Sequence, residues 1–523
     1  VGDGGPAMAN NYGLVNAGVA GVVAVSVGNG AAATSDNTST VTAGALGLGS
    51  LAVGDGNRVN VFNSGTVNAG LAGMLGIGVG DGNELSVKNS GSVTTDGIGA
   101  AGLQFGDGGS VQVLNTDTGM IDAGFAGLVG VAVGDGNMVG IGNSGTVDAG
   151  QIGLGGLAVG NGNVVNAINY GVVDPDIAGV ISIGVGNGNT VAAANNGSVT
   201  AGLLGVGALA FGDDNQVSAT NSGTISANGA GLVGGAVGND NTVTIDNSGV
   251  IAAGVLGIGG LAYGDGNSVA VTTSGTVAAD SIGVAAASFG SGDITVDVLG
   301  EVQSDGVGVY ALNSGSGDTI VTVEGPVGGR TGSATGDDGV AAVSIGGTGL
   351  VQVTTTASGT ITAGGDGIAV NKFYGDADGT TALVVDAAGD INAGLNGISA
   401  DQVTSNGDIQ VTASGSIMAG AAGIDVTKSD GSGDIVVAAN GAISATDGIL
   451  VSAENQTGDI DITTGEGVSL SASATGIGAT KEPGGSGDIT VTTGSGSAIL
   501  AGGVGISADN SVGGGCRRLD LQH

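Results

Sequence analysis

Apolar and polar positions alternate in short runs, and the runs recur every 26 residues. Val53-Gly-Asp-Gly-Asn57 returns at Val79 and Val133, with Asp or Asn exchanges at Val159, Val185 and Val237, and again as Tyr263-Gly-Asp-Gly-Asn267. The leading glycine of this motif falls at Gly2, Gly28 and Gly54 and onward to Gly290. All steps are 26 residues except one of 28, whose extra residues sit in Asn115-Thr-Asp-Thr-Gly119. Within Gly54 to Val79 the pattern predicts three strands. Val59 and Val61 alternate against polar neighbours in the first, and Val67 points inward in the second. The third is the very apolar stretch from Leu71 to Val79. Asn63-Ser-Gly65, Ala69-Gly70 and Gly-Asp-Gly-Asn mark the turns between them. A fixed period of this length signals stacked units, so the expectation is an all-β chain. It would be a parallel β-helix (β-solenoid) with about one coil of three short strands per 26 residues. One coil cannot bury enough apolar surface to hold itself together; stacked coils share backbone hydrogen bonds and a continuous core.

Two columns sharpen that expectation. Gly21, Gly47, Gly73, Gly99, Gly127 and Gly153, continuing to Gly283, recur without exception in eleven units. They require either a positive φ or a place where a side chain would strike the next coil. Asn11, Asn37, Asn63, Asn89, Asn115 and Asn143, continuing to Asn247, form a second column. Their amides can hydrogen-bond from coil to coil.

After Gly290 the phase loosens and the unit becomes Gly-Asp-Ile-x-Val, as at Gly292, Gly407, Gly433 and Gly487, with a variant at Gly458. Ser414-Gly-Ser-Ile-Met-Ala-Gly420 and Gly423-Ile424 add a second element. These motifs, with Asn-Ser-Gly-Thr-Val/Ile-x-Ala-Gly, resemble the passenger region of bacterial autotransporters and related secreted β-helix proteins. The resemblance runs from residue 1 to about residue 513. It implies a right-handed β-helix carried to the cell surface by an outer-membrane β-barrel translocator. That barrel would lie in the full-length protein or in a separate chain, because no block of alternating strands with aromatic girdles is present here. The expected division is 1–290 for the regular β-helix, 291–513 for its divergent continuation, and 514–523 for a tail unlike anything upstream.

Composition narrows the chemistry. Glycine is 116 of 523 residues without a collagen period, and aromatic residues are 2% with no tryptophan. The net charge of −38 argues against nucleic acid and anionic membranes and favours solubility, cation binding and export. The sole cysteine, Cys516, and the sole histidine, His523, both lie in the tail, which reads as a cloning remnant or frame-shifted end. No signal peptide precedes Val1, which enters the repeat in phase, so the chain is expected to be an excised or processed piece. Runs such as Ala17 to Val27 are too short for a membrane helix.

Asp55, Asp81, Asp107 and Asp135 occupy one turn position in successive coils, followed by Asn161, Asn187, Asp213, Asn239 and Asp265. At a coil spacing of about 4.8 Å this column is either a solvated ladder or a calcium site between coils. A Ser-His-Asp nucleophile lacks a histidine in the body of the chain. A sugar-cleaving centre needs clustered carboxylates, whereas the basic residues Arg58, Lys88, Arg330, Lys372, Lys428 and Lys481 are scattered along the sequence. Arg58 and Glu84 share a column and predict a surface ion pair of small worth.

In the third strand Ile77 and Val79 are expected to point inward. Ser26, Ala52, Gly78, Gln104, Ala132, Ala158, Gly184, Ala210, Ala236, Ala262 and Ser288 would then form a flat outward face of small residues. That face would suit lateral packing, unless a broad core absorbs these residues. Leu71, Phe125, Ile177, Leu203 and Val255 form a further partly apolar column. The function these features imply is a secreted, cell-surface stalk or adhesin that binds a host or cell-surface ligand through ladders and loops. It would have no enzymatic activity, no cofactor and no catalytic or metal residue. It would associate laterally or end to end. The alternatives are a carbohydrate-active β-helix enzyme and an ice- or mineral-binding solenoid. The threonine rank of the latter (Thr40, Thr66, Thr146, Thr224, Thr276) is interrupted by Ser92, Met120 and Val172.

Overall fold

The computed structural model describes residues 4–330, 334–375, 381–482 and 485–510. The tail that holds Cys516 and His523 lies outside the described residues. Among the described residues 57 strands and no helix form. They follow the repeating order first, second and third sheet, about 19 coils of roughly 26 residues. The fold is a parallel β-solenoid. It divides into two compact units: Val1–Gly254 with Gly259–Ala262, and Val255–Ile258 with Tyr263–His523.

One coil of the first unit shows how the residues make the elements. Its strands are Arg58–Asn63, Thr66–Ala69 and Ala72–Val79, close to the spans that hydropathy predicts. Val59, Val61, Val67 and Met74 are fully buried and line the interior. Register is kept from coil to coil. Leu85 pairs with Val59 on one side and with Val111 on the other, so equivalent positions lie over one another. The two extra residues near Thr116 are absorbed in a turn. Asn115 still pairs with Asn143 and Met120 with Thr146.

The invariant glycine column is steric rather than conformational. A Cβ at Gly99 would lie 2.3 Å from Ile121 Cγ2 and 2.6 Å from the Gly127 carbonyl oxygen of the next coil. The second glycine of the Gly-Asp-Gly-Asn turn is the reverse case. Gly82 has φ +63°, and a Cβ added there would meet nothing within 4 Å. Asp214 and Asp240 adopt the same left-handed backbone at φ 57° and 56°.

The second unit keeps the architecture with different wording. Ile409, Ile435, Ile460 and Ile489 of the Gly-Asp-Ile motifs pair in one buried row. Two of its third-sheet strands, Ala422–Gly431 and Asp447–Gln456, lengthen to ten residues.

These two glycine classes give a direct prediction. Gly99→Ala should cost about 3 kcal/mol, because backbone of the adjacent coil must move. Gly82→Ala should cost about 1 kcal/mol, the penalty of a left-handed alanine. Urea unfolding of both variants measures the difference, and equal losses would contradict the steric account.

Candidate functional site

Corner residues of each coil are tied to their neighbours by side-chain ladders. Asn11, Asn37, Asn63 and their successors to Asn247 are buried, and along the column Nδ2 donates to the Oδ1 of the next asparagine at 2.8–2.9 Å. The column that sequence assigns to an amide ladder is one.

The Asp column works differently. Asp55 Oδ1 accepts the backbone N–H of Asp81 at 3.0 Å, Asp81 that of Asp107 at 2.8 Å, and Asp107 that of Asp135 at 2.8 Å. Asp135, Asn161, Asn187 and Asp213 continue the series. Only an Oδ1 acceptor is needed, so Asp and Asn exchange freely along the column. A third ladder clamps the same turn from the opposite side. Asn57 N–H donates to Asn83 Oδ1 at 2.8 Å, and Asn57 Nδ2 donates to the Gly54 carbonyl at 2.7 Å. Where this asparagine is replaced by Gly109, the Gln104 side chain occupies the vacant space and donates to the Gly80 carbonyl.

The second unit uses that substitute repeatedly. The Asp of each Gly-Asp-Ile motif still caps the next coil, as Asp408 Oδ1 does for Asp434 N–H and Asp434 Oδ1 for Asp459 N–H, both at 2.8 Å. The glycine carbonyl at this turn, however, is reached by a long inward side chain of the following coil. Asn313 donates to Gly292, Lys372 to Gly349, Lys428 to Gly407, Lys481 to Gly458 and Asn510 to Gly487. Three lysines scattered in sequence therefore share one column, Asn313, Ser344, Lys372, Gln402, Lys428, Ala453, Lys481 and Asn510. This overturns the expectation that the basic residues are dispersed. Burial lowers all three ammonium pKa values, that of Lys428 to about 8. Lys428 Nζ also donates to Gln402 Oε1 at 2.9 Å. By contrast, Arg58 and Glu84 form the expected ion pair at 3.0 Å with both side chains largely exposed.

The third sheet corrects a second expectation. Ala52, Gln104, Ala132, Ala158 and Ala262 are fully buried, and Ser26, Ala210 and Ala236 nearly so. Ile77 and Val79 point outward instead. Where the turn asparagine is present, the corner between third and first strands is too narrow for bulk. A Cβ at Gly78 would already meet Leu85 Cδ1 at 2.7 Å and Asn83 Cβ at 3.2 Å. The large residues are therefore turned to the outside, where Val53, Val79, Phe105, Val133, Val159, Val185, Phe211 and Val237 are 37–45% exposed. Leu71, Phe125, Ile177 and Leu203 stand exposed at the preceding corner, as their apolar column suggests.

Two outward positions in each coil are coupled. Leu46 accompanies Gly49, Ala72 accompanies Leu75, Ile98 accompanies Ala101, and Ala126 accompanies Val129. The alternation continues as Ile152 with Gly155, Ala178 with Ile181, Leu204 with Gly207 and Ala230 with Val233. Leu46 Cδ2 leans to 2.7 Å from where a Cβ on Gly49 would lie, and Leu204 Cδ2 to 2.8 Å at Gly207. Each coil thus carries one bulky residue over the pair and the face stays level, with a true repeat of two coils. In the second unit a different outward row, the one that holds Ala287 and is equivalent to that of Ile77 and Leu103, becomes polar, from Leu312 and Val343 to Asn371, Asp401, Thr427 and Ser452.

No family model, curated protein or solved structure matches this chain. Site assignment rests on the geometry. Among the described residues no group of three or more His, Cys, Asp or Glu is placed to hold a metal ion. On the second sheet of the second unit a groove of about 400 Å³ is lined by Thr360, Asp390, Asn392, Ser416, Ser444 and Ser471 above a floor of isoleucines. On the third sheet, burial raises the pKa of Asp401 and, more crowded, of Asp425, which Asp401, Asp366 and Asp447 raise further.

These groups set the response of the second unit to pH. For Lys428 the unfolded chain holds a proton that the folded chain releases near 8. The lysine's contribution therefore makes the second unit more stable as pH rises from below 8 toward the ordinary lysine range. Lys428→Met should flatten that rise in urea unfolding at pH 7 against pH 9.5, and NMR titration should place the Lys428 amine near 8. For Asp425 the sign is opposite. Its folded pKa lies above its unfolded one, so its contribution is favourable at low pH and lost as pH rises through the folded value. Asp425→Asn should raise the unfolding midpoint at about pH 7 and lose that advantage at about pH 3.

Proposed function

We propose that the chain is a secreted, cell-surface β-helical passenger that serves as a structural stalk or adhesin and carries out no catalysis. The observation that supports this is where the polar side chains are engaged. The Asp and Asn columns hold each coil to the next through their oxygens, so the regular unit devotes its polar groups to keeping a stack rigid. Uniform rungs suit a stalk, since every coil contributes the same nearest-neighbour contact. In this reading an outer-membrane β-barrel translocator, in the full-length protein or as a separate chain, carries the coils out. A host or cell-surface ligand is met by the exposed faces and loops. The net charge of −38 turns away nucleic acid.

The groove on the second sheet favours a second reading, recognition of a carbohydrate. Thr360, Asn392, Ser416 and Ser444 offer hydroxyl and amide partners for sugar hydroxyls. Hydrolysis would require two carboxyl groups flanking the scissile bond. Among the described residues lining the groove Asp390 is the acidic one, and its Oδ1 accepts the Ser416 N–H at 2.8 Å. The groove therefore suits binding better than cleavage.

Antibody labelling and proteinase shaving of intact producing cells test the main reading. Surface label that disappears on shaving is expected; a chain protected from both and recovered with cytoplasmic markers would refute it. On a glycan array, Asn392→Ala with Ser444→Ala should abolish any signal that arises from the groove.

A further inference from the structure

The outward face of the third sheet in the first unit carries an assignment of its own. Its nine eight-residue strands, from Ala20–Val27 to Ala230–Val237, contain no Asp, Glu, Lys or Arg. The chain around them has a net charge of −38. Eight residues at about 3.3 Å and nine coils at about 4.8 Å give a face of roughly 1,100 Å². The largest apolar patch on a typical monomer is about 300–600 Å². Solvent exposure alone gives no reason for this width, because alternating strands ordinarily place polar residues outward.

We infer that this face is the contact between two copies of the chain, which pack third sheet against third sheet in an isologous pair. Three observations select a second copy. The area suffices: two such faces meeting would bury roughly 2,200 Å², above the ~1,600 Å² of a standard stable interface. The shape suits it: the Leu46–Gly49 and Ala72–Leu75 alternation levels the surface, and level sheets pack face to face about 10 Å apart. The charge distribution permits it. Two copies of so acidic a chain repel wherever carboxylates face each other, and this surface is where they do not. The turn column Asp55, Asp81, Asp107 and Asp135 runs along one edge of the face. Pairing therefore brings acidic rims near one another, and it strengthens as salt screens them. The inference does not depend on export or adhesion, since the same face would pair in any compartment.

Sedimentation velocity on the full chain, at low salt (about 20 mM NaCl) and high salt (about 500 mM) over a roughly hundredfold concentration range, tests it. A monomer–dimer equilibrium that shifts toward dimer at the higher salt is expected. Val131→Lys with Leu157→Lys, adjacent in the centre of the face, should weaken dimerisation about tenfold or more. The same two charges placed on the first sheet, Gln112→Lys with Asn166→Lys, should not. Circular dichroism checks that each variant folds. If the face variant does not fold, cross-linking decides. With Cys516→Ser as background, Val133→Cys should oxidise to a covalent dimer and Thr220→Cys, on the first sheet, should not. A chain that stays monomeric under every condition would overturn the inference and leave the face to another occupant, a different protein or a missing segment. A dimer that ignores the third-sheet lysines, or that cross-links through Thr220→Cys, would overturn it as well.

Discussion

Every corner of a solenoid leaves backbone groups outside the strand ladders, and each must find a partner on the coil above or below. A buried N–H without an acceptor costs about 1–3 kcal/mol, and a stack repeats that cost at every turn. Here the answer is a short side-chain oxygen held close to the backbone. Asp55 takes the amide of Asp81, and Asn83 takes the amide of Asn57 from the opposite direction. Most of what is distinctive in the chain follows from that requirement. Glycine-rich turns let the coils approach, and Asp/Asn exchanges leave the geometry untouched. The acidity is in part a by-product of using aspartate as a hydrogen-bond acceptor.

The two units satisfy the turn carbonyl by different means, with different consequences. In the first, the asparagine of the turn closes its own loop in two coils, Asn57 on Gly54 and Asn83 on Gly80. In the second, a donor arrives from the next coil, and three times it is a lysine whose ammonium has left water. The lysine arrangement favours the second unit as pH rises through about 8, while crowded carboxylates such as Asp425 favour it at low pH and lose that contribution as pH rises. The first unit is neutral along its third face and carries its charge at the turns and on the other two sheets, as at Arg58, Glu84, Asp122 and Asp148. Charge and apolar surface are thus kept apart within the same coil.

The coil was legible in the sequence because its signals are local. The 26-residue spacing, the Val59 and Val61 alternation and the Asn63-Ser-Gly65 turn each depend on a few neighbouring residues, and the register of Val59, Leu85 and Val111 agrees with them. The sidedness of the third strand was not legible. Ile77 and Val79 are more apolar than Gly78, so hydropathy points them inward; the corner against Asn83 and Leu85 has no room and reverses them. The lysine column was hidden for another reason. Lys372, Lys428 and Lys481 are separated by coils of unequal length, and only strand pairing brings them into line. One clue did exist: Gln104 accompanies the missing asparagine at Gly109, the same exchange in miniature.

The pairing of Leu46 with Gly49 in one coil and Ala72 with Leu75 in the next makes the heritable module two coils long rather than one. Unequal recombination between such similar stretches adds or deletes whole modules easily. Events that move one coil would set two like coils side by side and leave a ridge or a dent on the surface. Lineages that keep a smooth third face should therefore grow and shrink by even numbers of turns, and the parity of their length becomes a record of what that surface is for.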